Sequence, residues 1–283
     1  MIKHIPVLKK EVVELLKVGK NKNYVDCTFC QGGHSLEILR RNFPEGKVLA
    51  FEIDRELYLE AKKKFKTKRL ILVNENFVEL ERVVKKLNFF PVHGILIDLG
   101  ISSWHIEKSK RGFSFKRDEI LDMRYDTKRE ITAKDVLNKF SKEKLKEIFE
   151  EFGEIKRSKK LAEFLVKRRP FERTFDLLFA LNRFYLKEKN LVRKVFLALR
   201  IFVNEELENL KKVLPQAIRI LEKEGRLAVI SYHSLEDRIV KNFFKKEKEK
   251  IKIITKKPIV PSKEEIKINP RSRSAKLRVC EKI

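Results

Sequence analysis

The spacing of apolar and polar positions changes character twice along this 283-residue chain. Between residues 24 and 100, short apolar runs recur as "YVDCT" (24–28), "KVLAFEID" (47–54), "RLILVNEN" (69–76) and "HGILIDLG" (93–100). Stretches with helical character, such as Ser35–Asn42 and Arg55–Phe65, lie between them. That alternation predicts βαβ units in a parallel sheet. From about 107 to 204 the period becomes helical. In "SKEKLKEIFEEFG" (141–153), Leu145, Ile148, Phe149 and Phe152 fall on one face and Gly153 supplies the stop. A strand-like run returns as "GRLAVISY" (225–232), and "AKLRVCEK" (275–282) is expected to close an edge of the sheet. The pattern therefore predicts an α/β chain: a discontinuous sheet domain, 1–106 and 205–283, with an all-helical domain, 107–204, inserted into it.

Charge adds a partner to this picture. The chain holds 67 Lys and Arg against 41 Asp and Glu, a net +26, the sign expected of a polyanion binder. A heat-adapted surface rich in Lys and Glu explains dense charge but not its imbalance. The excess is uneven: +6 over 1–106, +11 over 107–200, −1 over 201–240 and +10 over 241–283. The helical insertion and the tail are thus expected to share the work of meeting nucleic acid. No run approaches the roughly 20 apolar residues of a membrane span, and the opening "MIKHIPVLKKEVVELL" lacks the apolar core of a signal peptide. With three cysteines and no disulfide framework, a cytoplasmic location is expected.

The candidate chemistry begins at "DCTFCQGGH" (26–34). Cys27-x-x-Cys30 followed by His34 has the look of a metal or redox site, but a structural zinc site needs four ligands and no second cysteine pair follows. No metal is expected. The stretch instead joins the first strand to the first helix, where an open α/β sheet binds a nucleotide-like ligand. Gly32 and Gly33 would let a ligand approach the backbone, and Asp54, about 20 residues on, is placed to accept from ribose hydroxyls. Neither G-x-G-x-x-G nor a Walker Gly-Lys-Ser/Thr motif is present, which favours an adenosine without phosphates, such as S-adenosylmethionine.

Several stretches carry a family likeness: "HIPVLKKEVVELL" (4–16), "DCTFCQGGHS" (26–35), "ILIDLGISS" (95–103), "RGFSF" (111–115), "LDMRYD" (121–126), "ALRIFVNEEL" (198–207), "SYHSLEDRIVK" (231–241) and "NPRSRSAKLRV" (269–279). In this order they resemble the RsmH/MraW family of bacterial 16S ribosomal RNA cytidine N4-methyltransferases, nearly end to end. The resemblance implies a class I, Rossmann-like S-adenosylmethionine-dependent methyltransferase sheet interrupted by a helical domain. It also implies, as target, a cytidine in the decoding region of the small ribosomal subunit. Carried over by position, the cofactor site comprises Gly32, Gly33, His34, Asp54, Phe77 and Asp98. The sequence departs from the family where Trp104-His105 replaces a proline and glutamine, leaving His105 as the corresponding contact, and where Cys27 and Cys30 stand in the first loop.

For the reaction, Asp98 is the candidate acceptor for the amine protons, with a backbone carbonyl in 99–101 as its rival and cofactor binding as its other role. Phe113 and Phe115 are candidates to stack on an extruded base, or alternatively to pin the insertion onto the sheet domain. Asp122 and Arg124 belong to a family motif of undefined role. His233, near Ser234, Glu236 and Asp237, suggests a hydrolase triad, but no G-x-S-x-G elbow accompanies it, so positioning of substrate or a structural hydrogen bond is expected. Arg271, Arg273, Lys276 and Arg278 are candidate phosphate contacts. A noncatalytic RNA-binding assembly factor with the same fold is the competing class, and the sequence leaves open whether two chains pair as a homodimer.

Overall fold

A computed structural model describes residues 5–185 and 189–283. His4, the first residue of the stretch 4–16, lies outside the described residues. The chain divides into two compact units, 1–100 with 207–283, and 101–206. The first unit is built on seven strands: β1 (Tyr24–Asp26), β2 (Val48–Phe51), β3 (Leu70–Val73), β4 (Val92–Asp98), β5 (Leu221–Ser231), β6 (Ile251–Ile253) and β7 (Lys276–Lys282). Their order is β3-β2-β1-β4-β5-β7-β6. β3 through β5 run parallel, whereas β7 is antiparallel to both β5 and β6.

Every residue of β1 and β2 is buried, the mark of strands covered on both faces. Alternation along the strands divides the side chains between two cores. Val25, Leu49, Phe51, Ile95, Ile97, Leu227 and Val229 pack with α4 (Leu80–Lys86), α11 (Glu206–Ile220) and α12 (Ser234–Lys246). Tyr24, Val48, Ala50, Leu96, Ala228 and Ile230 pack on the other side with α1 (Lys9–Leu15), α2 (Gly33–Arg41) and Ala61 of α3 (Arg55–Lys64). Two details depart from the expected layout. β7 does not close an edge, because three residues of β6 pair outside it. A run as short as Ile251–Ile253, with Lys252 between, is invisible to periodicity because it forms only when a partner strand is present.

The second unit is helical: α5 (Ser103–Glu107), α6 (Ala133–Lys139), α7 (Lys142–Glu151), α8 (Ser158–Val166), α9 (Thr174–Asn182) and α10 (Leu191–Asn204). Its own core joins Leu145, Ile148 and Phe149 of α7 to Leu161 and Leu165 of α8 and to Val195 and Leu199 of α10. α7 starts on a Ser141 cap whose hydroxyl accepts from Lys144 N. After it, the left-handed residue is Glu154 rather than Gly153. Gly153 is required for a different reason, since a Cβ there would stand 2.8 Å from the Phe149 carbonyl oxygen. α13 (Lys263–Ile268), back in the first unit, precedes the turn 270–274 that leads into β7.

Candidate active site

The strand order reverses between β1 and β4, so the segments leaving their carboxyl ends diverge and open a crevice there. The loop 27–32 emerges at this point. Asp26, 1% exposed, anchors it by accepting from Ser35 Oγ at 2.6 Å and from Thr28 N at 3.0 Å. Burial raises the Asp26 carboxyl above its ordinary value, against the Ser35 hydrogen bond. The loop passes so close to Phe29 and Pro6 that side chains are excluded: a Cβ on Gly32 (φ 79) would lie 2.7 Å from the Phe29 ring, and one on Gly33 would lie 2.5 Å from Pro6 Cγ. Both glycines thus shape the loop itself. Burial pushes the thiols of Cys27 and Cys30 well up, with neighbouring carboxylate charges adding to it.

Two carboxylates follow β2, and their hydrogen bonds differ. Asp54 caps α3, its Oδ1 accepting from Glu56 N at 2.9 Å and Leu57 N at 3.4 Å, and it is 1% exposed. The carboxylate that meets the loop is Glu52, which accepts from Cys30 N at 2.9 Å through Oε2 and from Asp54 N at 2.9 Å through Oε1. Burial is the main cause that lifts Glu52 to about 8, and the Asp54 and Asp26 charges add to it, against the two backbone N–H groups. Motif spacing points to Asp54, whereas the carboxylate bonded to the loop is Glu52. The available signal was position, since Glu52 directly follows the last residue of the strand, Phe51.

Asp98 ends β4 on the other side of β1. Its backbone N donates to Thr28 Oγ1 at 2.8 Å, and its Oδ1 accepts from Tyr232 Oη at 2.9 Å. His34, buried in the first turn of α2, has no hydrogen-bond partner on either ring nitrogen, and its Nε2 stands 3.5 Å from Asp98 Oδ2. A buried imidazole with unspent nitrogens is costly unless something else meets it. Phe77, just beyond β3, is half-buried against the first core. Loop 27–34, Glu52 and Asp98 therefore converge at adjoining strand ends, with polar capacity left for a ligand bearing hydroxyl and amino groups.

In the helical unit, Ser102 Oγ bonds His105 Nδ1 at 2.7 Å, and the His105 ring lies edge-on to Phe113 and Tyr125, at 5.2 and 4.9 Å. Phe113 and Tyr125 are stacked, with centroids 5.3 Å apart. Phe115 lies edge-on to Phe196 in the helical core. Asp122 and Arg124 form a bidentate pair, both bonds 2.8 Å, and Arg124 also donates to the carbonyls of Thr127 and Arg129. That pair closes its own loop. Tyr125, unmarked in the sequence reading, enters the aromatic cluster because its backbone N is held by Asn204 Oδ1 at 2.8 Å, a contact 79 residues apart.

His233 stands at the start of α12 with Nε2 3.1 Å from Glu236 Oε1, while Glu236 Oε2 accepts from the backbone N of Tyr232 and His233. This is a helix-start arrangement and not a nucleophile relay. The tail residues split. Arg278, with its side chain 9% exposed, is bonded to Asp237 at 2.6 Å, and Lys276 reaches the same carboxylate at 3.5 Å. Those two cations share one carboxylate, and Arg271 and Arg273 lie exposed on the turn before β7.

A Dictyoglomus thermophilum protein named ribosomal RNA small subunit methyltransferase H is 46% identical over 286 residues, covering 99% of this chain and 96% of that one. A protein of the same name from Clostridium botulinum (strain Loch Maree / Type A3) is 40% identical over 306 residues, covering 99% of each. Among solved structures, one from Clostridium thermocellum, titled as an rRNA-methylase, superposes with a TM-score of 0.51 at 13% identity, covering 99% of this chain and all of that one. That likeness bears on the fold alone. With its whole length, residues 1–283, matched by one family, the chain belongs to the MraW methylase family.

Proposed function

We propose that this protein methylates N4 of one cytidine in the decoding region of 16S ribosomal RNA, using S-adenosylmethionine and acting on the small ribosomal subunit in the cytoplasm. The observation that carries the reading is the convergence of loop 27–34, Glu52 and Asp98 at the switch point of a sheet whose chain belongs to this methylase family. The orphaned nitrogens of His34 and the buried Glu52 carboxylate fit an adenosine-containing cofactor with ribose and amino acid ends. Bound there, S-adenosylmethionine supplies a methyl group already activated by its sulfonium.

The chain's residues then have alignment as their main task. Glu52 accepts from the ribose hydroxyls, the role that Asp54 gives up to its helix. Phe77 lines the adenine side. The exocyclic amine of cytosine is a poor nucleophile because its lone pair is delocalised into the ring, so holding it in line and accepting its protons supplies much of the acceleration. Asp98 is placed for that acceptance. We leave His105 out of the cofactor site, since Ser102 and two aromatic rings hold it. Its cluster with Phe113 and Tyr125 is the proposed surface for the RNA in the helical unit. No part of the reading requires a pair of chains.

The first test is methyl transfer from labelled S-adenosylmethionine to small subunits lacking the modification, followed by nucleoside mass spectrometry. One new N4-methylcytidine at a single site is expected, and subunits that bind without gaining a methyl group would overturn the reading. The tail gives a second expected result. Charge reversal of Arg271 and Arg273 should weaken RNA binding and flatten its salt dependence by about two phosphate contacts. Arg278→Ala should instead lower stability, because it leaves Asp237 with only the longer Lys276 contact at 3.5 Å. Equal salt slopes in parent and double variant would remove the turn from the RNA surface.

A further inference from the structure

The Tyr232 hydroxyl reaches the candidate acceptor Asp98 directly. Parallel pairing of Asp98 with Ile230 brings the ends of β4 and β5 side by side, and Tyr232 follows β5. Its Oη lies 2.9 Å from Asp98 Oδ1. The residue is held at both ends. Its backbone N donates to Glu236 Oε2 at 2.8 Å, and its ring lies where a Cβ on Gly100 would be 3.3 Å away. Burial, with the neighbouring Asp98 charge adding to it, drives the phenol well above its ordinary value, so it remains an O–H donor at neutral pH. Asp98 is thereby fixed twice, by Thr28 on its backbone and by Tyr232 on Oδ1. Oδ2, 3.5 Å from His34 Nε2, is left to accept.

We infer that Tyr232 is a positioning residue for methyl transfer, its hydroxyl holding Asp98 so that Oδ2 faces the amine of the target base. The inference rests on the proposed function. In the transfer, the N4 lone pair forms the new bond to the methyl carbon and the carbon–sulfur pair stays on sulfur as a neutral thioether. One N4 proton passes to Asp98 Oδ2 and then to solvent. Tyr232 neither gains nor loses a proton. Without its hydroxyl the carboxylate is free to rotate about its side-chain bonds, and the fraction of time Oδ2 spends in place falls.

Tyr232→Phe tests this, since it keeps the ring against Gly100 and removes only the oxygen. We expect kcat on small subunits to fall about tenfold, the scale of one lost hydrogen bond. KM for the subunits and the calorimetric Kd for S-adenosylhomocysteine should stay within about twofold. In an Asp98→Asn background, the same change should cost little more, because the residue it positions no longer acts as base. An unchanged kcat, a full additive loss in that background, or a loss confined to S-adenosylhomocysteine affinity each overturns the inference. A parent protein that forms no N4-methylcytidine sinks the functional reading and this inference together, whereas an active parent with an unaffected Tyr232→Phe variant sinks the inference alone.

Discussion

Glu52→Ala should weaken S-adenosylmethionine binding by about a hundredfold, whereas Asp54→Ala should change it by no more than about threefold while lowering stability by about 1 kcal/mol. The first magnitude follows from two hydroxyl hydrogen bonds to a buried carboxylate, each worth about 1.5 kcal/mol. The second follows from the loss of an N-cap on α3, whose first turn Asp54 Oδ1 holds through Glu56 and Leu57. Calorimetry and thermal melting on the two variants check both. Near-equal losses of cofactor affinity would return the ribose role to Asp54.

Glu52 also predicts a pH dependence, with a defined sign. Burial raises its folded value from 4.5 to about 8, so between those values the folded chain keeps a proton that the unfolded chain releases. Its contribution to stability is therefore greatest below the unfolded value and declines as pH rises toward 8. Ribose hydroxyls donate to the ionised form, so cofactor binding should release a proton in this window and tighten as pH rises to about 8. Calorimetry in buffers of differing ionisation enthalpy reads the proton directly. Glu52→Gln should abolish the release.

Asp98→Asn is the second large effect. Its side-chain oxygen can still accept from Tyr232, so the geometry survives while the charge and its basicity are lost. A fall in kcat of about a hundredfold is expected, the lower end of the range for a positioned acid or base, with the Kd for S-adenosylmethionine changed by less than about fivefold. Single-turnover transfer alongside calorimetry separates the two quantities. Should affinity fall as far as kcat, Asp98 would belong to the cofactor's amino acid end instead.

The comparison of Glu52 with Asp54 shows where sequence reasoning stops. Spacing of about 20 residues after a glycine loop finds the strand end but cannot tell two acids apart when they lie two positions from each other. The difference is made by hydrogen bonds: one carboxylate folds back onto its helix and the other turns to Cys30. The tail residues teach the same lesson. Four cations in "RSRSAKLR" look equivalent, but β-strand alternation and α12 place Asp237 under two of them. Phe113 and Phe115, spaced by two, both pack against the helical core, yet one stacks on Tyr125 and the other meets Phe196 edge-on.

By itself, the sequence determined the class of the protein. Local patterns of apolar residues specify parallel strands and a helical insertion because secondary-structure periods are short-range, and eight ordered motifs specify a family. Its net charge of +26 pointed to a polyanion. What only the tertiary structure decided was which side chains remain available. That Arg278 is paired with Asp237, and that His34 is buried without a hydrogen-bond partner, follows from a contact 41 residues apart and from burial that no local window records. Tyr232 meets Asp98 across 134 residues. Availability is set by desolvation and hydrogen bonding in three dimensions, so it became visible only when the strands lay side by side.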